Sequence, residues 1–306
     1  MTQPTKSAWA LLFILGIIWG GSFMGAKLAL ASFGPLSVAA MRLLIAAVFL
    51  LVINAMRGGR LPGFSTPVDK RIWLHILAMG LFTNALPFTL LNWGQLYVTS
   101  GFAGITMAVV PLLILPLAHF LIAGEQMNLR KFIGFAVGFI GVVVLIGPAS
   151  LLANSGASME PIARMACIGA AICYAIGAMN TRLCPPVPTI SFSAAGLLVG
   201  TLMLLPVALY VEGWPDMPST SALLGTIYLG IFPTALATLM LVFVINTAGP
   251  SFLSLVNYQV PMWAVLFGVL LLGEALPSQF IAALGLILIG LLISQWFTVM
   301  GILRRD

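Results

Sequence analysis

The chain has 306 residues, 61% hydrophobic and only 7% charged, whereas an ordinary soluble domain carries roughly 25% charged residues. Such a chain cannot cover itself with hydrated side chains, so a soluble domain is excluded and a bilayer is the expected solvent. The net charge of +6 does not argue for nucleic acid, because the basic residues sit in short clusters between apolar stretches, as positive-inside orientation requires.

Breaks at Gly, Pro and charge divide the sequence into ten apolar runs, near 8–29, 35–56, 72–96, 100–123, 130–151, 161–183, 188–211, 220–245, 249–272 and 277–300. Each approaches the roughly 20 residues that a membrane helix needs. The expected fold class is therefore an all-α integral membrane protein with ten transmembrane helices.

The first run has the basic flank (Lys6) and small residues (Ala29-Leu30-Ala31) of a signal peptide, but it is long and contains Trp19, so it is expected to be retained as a span. Trp19 and Phe23 can form an aromatic wall, or simply pack between helices; a mid-span tryptophan needs a partner for its indole N–H. Arg42, in the second run, is the one charge deep in a span, at a cost of about 2.5–3.5 kcal/mol on insertion scales. It must find carbonyls, a carboxylate or water; a structural role is favoured over binding a substrate carboxylate.

In the third run Asn84, Phe88, Asn92 and Gln95 fall within about 80° of one another at about 100° per residue. Amides are costly in lipid, so this face should look into a cavity or a helix interface. Thr106 and Pro111 follow in the fourth run; the proline removes a backbone donor and is expected to kink the helix. His75 and His119 lie near span ends and read as packed histidines. Cys167, Cys173 and Cys184 crowd into the sixth run and its exit, which gives neither a disulfide framework nor metal-ligand spacing.

Tyr174 in the sixth run, Thr234 and Thr238 in the eighth, and Asn257, Tyr258 and Trp263 around Pro261 in the ninth complete the expected cavity residues. Pro261, like Pro111, is an expected kink. Glu125 and Glu274 each follow a glycine at a span end, where a carboxylate can cap the next helix. Lys27 and Arg182 are placed as snorkelling or gating charges near opposite membrane faces.

Several of these residues recur. Gly80, Phe82, Ala85, Leu86, Leu91, Phe102, Val110 and Pro111 reappear at an offset of 150 as Gly230, Phe232, Ala235, Leu236, Leu241, Phe252, Val260 and Pro261. Trp19, Met24, Lys27 and Leu28 match Tyr174, Met179, Arg182 and Leu183 at an offset of 155. The chain thus reads as two five-helix units, 1–155 and 156–306.

With the N-terminus inside, Lys6, Arg57, Arg60, Lys70, Arg71, Arg130, Lys131, Arg182, Arg304 and Arg305 are cytoplasmic and only Lys27 and Arg164 external. Both termini are therefore expected in the cytoplasm. Five spans per unit is an odd number, so the second unit enters the membrane inverted. Two inverted units give one arrangement open to each side, with a cavity between them near the midplane.

This arrangement, with Trp19-Gly20, Arg42 and the patterns Pro111, Gly124, Glu125, Gly134, Gly141 and Pro261, Gly273, Glu274, Gly290, resembles the drug/metabolite transporter superfamily. Within it the chain is most similar to the EamA family and its ten-helix exporters of the YddG type. Ala283 stands where the repeat would predict glycine. The resemblance implies an inner-membrane transporter exporting amino acids, hydrophobic or aromatic ones included, with no cofactor.

Few charges beside amides and aromatic rings suit a small zwitterion on the residues' own terms. No Asp or Glu lies in the middle of a run, which disfavours carboxylate-based proton antiport and favours uniport or exchange. Another metabolite or multidrug exporter and a non-transporting receptor or assembly protein are the alternatives. An enzyme is disfavoured, since paired intramembrane carboxylates, metal-ligand spacing and nucleophile motifs are all missing. The expected partners are a small-molecule substrate and lipid, with no metal and no nucleic acid; a monomer is compatible with everything above.

Overall fold

Thr5 accepts the amide of Ala8 and starts α1 (Lys6–Leu30). α2 (Pro35–Met56) starts on a proline, whose missing N–H is no loss in a first turn. α3 (Pro67–Gly94) begins at Pro67 rather than at 72, because Thr66 and Asp69 close a capping box around its first turn. In the computed structural model, which describes residues 4–98, 103, 106–124, 126–146, 159–214, 217–272 and 278–303, no strand occurs among the described residues. The chain continues through α4 (Val110–Leu121), α5 (Leu129–Ile146), α6 (Glu160–Leu183) and α7 (Thr189–Glu212). It ends with α8 (Thr220–Ala248), α9 (Val256–Leu272) and α10 (Phe280–Leu303).

Among the described residues six helices, α1, α2, α3, α6, α7 and α8, are long and apolar enough to cross a membrane. Their burial is the reverse of a soluble protein's: Phe13, Val48, Leu202 and Leu224 are more than half exposed, while Arg42, Asn84, Asn92 and Thr234 are buried. That distribution suits hydrocarbon outside and a polar interior.

One expected span is interrupted. Over 249–272 the structure has a helical turn, Pro250–Leu253, and then α9 from Val256. Ser254 donates its hydroxyl to the Ser251 carbonyl at 2.8 Å, and Asn257 donates its amide to the Ser254 carbonyl at 3.0 Å. These local bonds compete with the helical ladder and break it just before the cavity wall.

The packing is paired. α2 packs on α7 and α5 on α10; α1 packs on α8 and α9, as α6 packs on α3 and α4. The α5–α10 crossing brings backbones together: a Cβ on Gly134 would lie 2.5 Å from the Ser294 nitrogen, and one on Gly290 would lie 2.5 Å from the Gly138 nitrogen. Only glycine allows that approach, the means by which apolar helices associate where no hydrophobic drive exists.

α3 and α8 each contain a π-helical turn, Gly80–Ala85 and Gly230–Leu236. The first packs on α7 and the second on α2. Pro233 lies inside the second turn and has no N–H to give the Leu229 carbonyl; the Thr234 hydroxyl donates to that carbonyl instead, at 2.7 Å. In the first turn Asn84 donates its side-chain amide to the Met79 carbonyl at 3.3 Å. Both bonds reach back five residues, and they sit 150 residues apart. Such turns widen a helix and frequently mark functional sites.

Candidate functional site

A cavity of about 130 Å³ lies among α1, α2, α3, α4, α6, α8 and α9, far more than the roughly 10–15 Å³ that one water occupies. Trp19, Phe23, Asn84, Phe88, Asn92, Tyr174, Thr238 and Asn257, all expected from the sequence, line it. So do Ser22, Arg42, Thr83, Gln95, Met107, Pro233 and Ser254 among others. Both π turns therefore contribute to its wall.

Trp19 finds the partner that a mid-span indole needs: its Nε1 donates to the Pro233 carbonyl at 3.2 Å, tying α1 to the second π turn. Ser22 donates to the Trp19 carbonyl at 2.7 Å. Asn92 donates to the Pro35 carbonyl at 3.2 Å, and Gln95 to the Leu91 carbonyl at 3.2 Å.

Arg42 enters from α2, 6% exposed. Its Nε donates to the Thr234 hydroxyl at 2.9 Å, and its guanidinium carbon stands 3.8 Å from the centre of the Phe88 ring. An aromatic face so placed stabilises a cation. None of the described residues lining the cavity is acidic, so the arginine has no carboxylate there. Tyr174 lines the same cavity.

Four expected wall residues stand elsewhere. Tyr258 is fully buried against α5, where its hydroxyl donates to the Phe135 carbonyl at 2.9 Å. The reason is helical phase: Asn257 faces the cavity, and the next residue is turned by about 100°. Thr234 lies behind the wall, its hydroxyl spent on the Leu229 carbonyl and receiving Arg42. Trp263 wedges between α1 and α9, with ring centres 5.4 Å from Phe13 and 6.3 Å from Phe267. Thr106 is buried outside the cavity lining.

Pro261 lies inside α9, and Pro111 lies in the first turn of α4, directly after a break at Val109 that separates α4 from the helical residues 106–108. Arg182 donates to the Asn246 carbonyl at 2.7 Å, at the carboxyl end of α8, while Lys27 is exposed in the last turn of α1. Glu125 and Glu274 lie outside the described residues, so their expected caps have no structural counterpart here. A cap that sequence reading missed is Glu212, at the end of α7: its carboxylate accepts the amides of Leu36 and Ser37 at 2.9 and 2.8 Å. The signal was there, a lone acid at a span end, but nothing local names a partner 176 residues away.

Among the described residues no three of His, Cys, Asp and Glu gather as metal ligands. His75 and Asn180 instead exchange two bonds of 2.8 Å between α3 and α6.

With this geometry in place, the chain can be compared with known proteins. The model of the EamA-like transporter family matches residues 6–147 and again 162–296. An Escherichia coli K12 protein named as an uncharacterized inner membrane transporter, YedA, is 28% identical over 280 residues, 90% of this chain and 86% of that one. An Archaeoglobus fulgidus protein named as an uncharacterized transporter is 26% identical over 93% of this chain and 97% of its own. Salmonella typhimurium PagO is 28% identical over 74% of this chain and 73% of its own. A solved crystal structure has the same fold, with a TM-score of 0.77 at 22% identity over 96% of this chain and 98% of that one.

Proposed function

The chain belongs to the EamA-like transporter family, and from that premise we propose that it exports small metabolites, amino acids above all, across the inner membrane. The observation that carries this reading is the cavity itself, walled by residues of both halves of the chain, from α1, α2, α3 and α4 and from α6, α8 and α9. Aromatic rings (Trp19, Phe23, Phe88, Tyr174) offer an apolar side chain its surroundings, while Arg42 and the amides of Asn84, Asn92 and Asn257 offer polar groups to a zwitterion.

The proposed architecture is ten spans in two inverted five-helix units, 1–155 and 156–306, with both termini cytoplasmic. Three findings support it. The family model matches the chain twice; the π turns and their side-chain bonds recur at an offset of 150; and the pairing of α1 with α8 and α9 repeats that of α6 with α3 and α4. Exchange of conformation between two such units opens the cavity to either side in turn. Transport is proposed as uniport or exchange, since no acid stands among the described lining residues to couple a proton.

The test is counterflow with purified protein in liposomes. Labelled amino acids, aromatic ones included, are expected to exchange against the same compounds inside, with no need of a pH gradient. Failure of a full amino-acid panel, with a cationic drug exchanging instead, would overturn the substrate assignment. Uptake driven by a pH gradient alone would overturn the coupling.

A further inference from the structure

We infer that Arg42 is the carboxylate receptor of this cavity, so that the substrate is recognised through an anionic group rather than as a cation or a neutral molecule. The inference rests on the cavity's being the substrate site, and it follows from which donors there are charged and unused. A carboxylate needs N–H or O–H groups directed at it. One side-chain N–H of each of five residues around the cavity is committed to a backbone carbonyl: Trp19 to Pro233, Asn84 to Met79, Asn92 to Pro35, Gln95 to Leu91 and Asn257 to Ser254. The Ser22 and Ser254 hydroxyls are committed as well, to Trp19 and Ser251.

The neutral donors left over are the second N–H of each amide and the Thr83 and Thr238 hydroxyls, whereas Arg42 is the one cation among the described lining residues. Of the five N–H groups on a guanidinium, only the one on Nε is used, in the bond to Thr234. That bond and the Phe88 ring beneath the guanidinium fix the orientation of the fork, while the terminal nitrogens give no bond to any described residue. The side chain is more than nine-tenths buried and lines the cavity. A buried charge left unpaired is costly, and no acid lines the described wall to relieve it. A bound carboxylate supplies the missing counter-charge in the bidentate geometry that arginine favours. Tyr174 lines the same cavity and brings a further hydroxyl donor to it.

The position in the repeat fits this role. Arg42 corresponds to Ala195 when Pro35 is aligned with Pro188, so the charge belongs to one half of the cavity alone. A bound substrate is thereby given a direction, with its carboxylate toward α2.

The experiment compares acids with their amides. Phenylalanine and 3-phenylpropanoate, each paired with its carboxamide, are titrated against the purified wild-type protein and Arg42→Gln, with binding read by thermal stabilisation. Wild type is expected to prefer each acid to its amide by about 10- to 100-fold, the range of charge-assisted hydrogen bonds, and Arg42→Gln to lose that preference. A wild type indifferent to the acid, or an Arg42→Gln protein that keeps the full preference, overturns the inference.

If Arg42→Gln does not fold, phenylglyoxal labelling of Arg42 in wild type decides. Protection by the acid but not by the amide supports the assignment, and equal labelling under both refutes it. The arms separate the two readings. Arg42-dependent binding of 3-phenylpropanoate without any amino-acid exchange removes the amino-acid proposal and leaves this one standing. Amino-acid exchange with an unaltered acid preference in Arg42→Gln does the opposite, and absence of binding by every compound removes both.

Discussion

The two π turns, Gly80–Ala85 and Gly230–Leu236, share a backbone device and differ in what holds them. The second is tied to its neighbours by hydrogen bonds: Arg42 donates to Thr234, and Trp19 to the Pro233 carbonyl. The first makes no such bond among the described residues and is held by contact. A Cβ on Gly80 would lie 3.0 Å from the Gly200 nitrogen and 3.1 Å from the Gly196 carbonyl oxygen, so α3 and α7 touch backbone to backbone there. The same backbone device is thus held by polar bonds to α1 and α2 in one half and by backbone contact with α7 in the other.

The largest expected effect comes from breaking the polar lock. Thr234→Val keeps the shape of the side chain but removes the donor to the Leu229 carbonyl and the acceptor for Arg42 Nε. Two buried groups lose their partners, one of them charged, and the expected loss of stability is about 2–4 kcal/mol. Thermal melting of the purified protein measures it; a melting curve unchanged from wild type would mean that the second turn is not held by this chain of bonds. A smaller loss is expected from the first turn. Gly80→Ala drives a methyl group into the α7 backbone, and overpacking of this kind costs about 1–3 kcal/mol. A Gly80→Ala melting curve unchanged from wild type would mean that the first turn is not seated on the α7 backbone.

How much of this comparison was legible beforehand depends on the range of the interaction. Composition pointed to a bilayer, and most apolar runs located their helices to within about five residues, because hydrophobic length and the caps at Thr5 and Thr66 act locally; the exceptions are the fourth run, whose α4 begins only at Val110, and the ninth, which is interrupted. The third-run stripe marked Asn84, Phe88 and Asn92 as a polar face, and all three line the cavity. The repeat at 150 was visible, but not that its glycines begin π turns, since the turn depends on which carbonyl each side chain reaches.

Tyr258 was misplaced because a polar group beside a cavity-facing one was assigned the same face. A structural role was favoured for Arg42, and its bond to Thr234 agrees with that; the packed structure adds that its terminal nitrogens make no bond to a described residue and that it lines the cavity. Local pattern finds elements; which polar group answers which is settled by residues far apart in sequence, such as Glu212 and Leu36.

The smallest expected effect on stability sharpens the comparison most. Asn84→Thr puts the second turn's residue into the first. A threonine hydroxyl there can donate to the Met79 carbonyl, as Thr234 donates to Leu229, so stability is expected to stay within about 0.5 kcal/mol of wild type. What the substitution removes is the Asn84 amide oxygen, an acceptor in the cavity wall whose own nitrogen is already committed to Met79. An ammonium group bound there loses one partner, and amino-acid affinity is expected to fall about three- to tenfold. A stable Asn84→Thr protein with unchanged affinity would assign Asn84 to the turn alone. A destabilised one would show that the two turns are not equivalent in backbone, and that their shared offset of 150 residues conceals different local geometry.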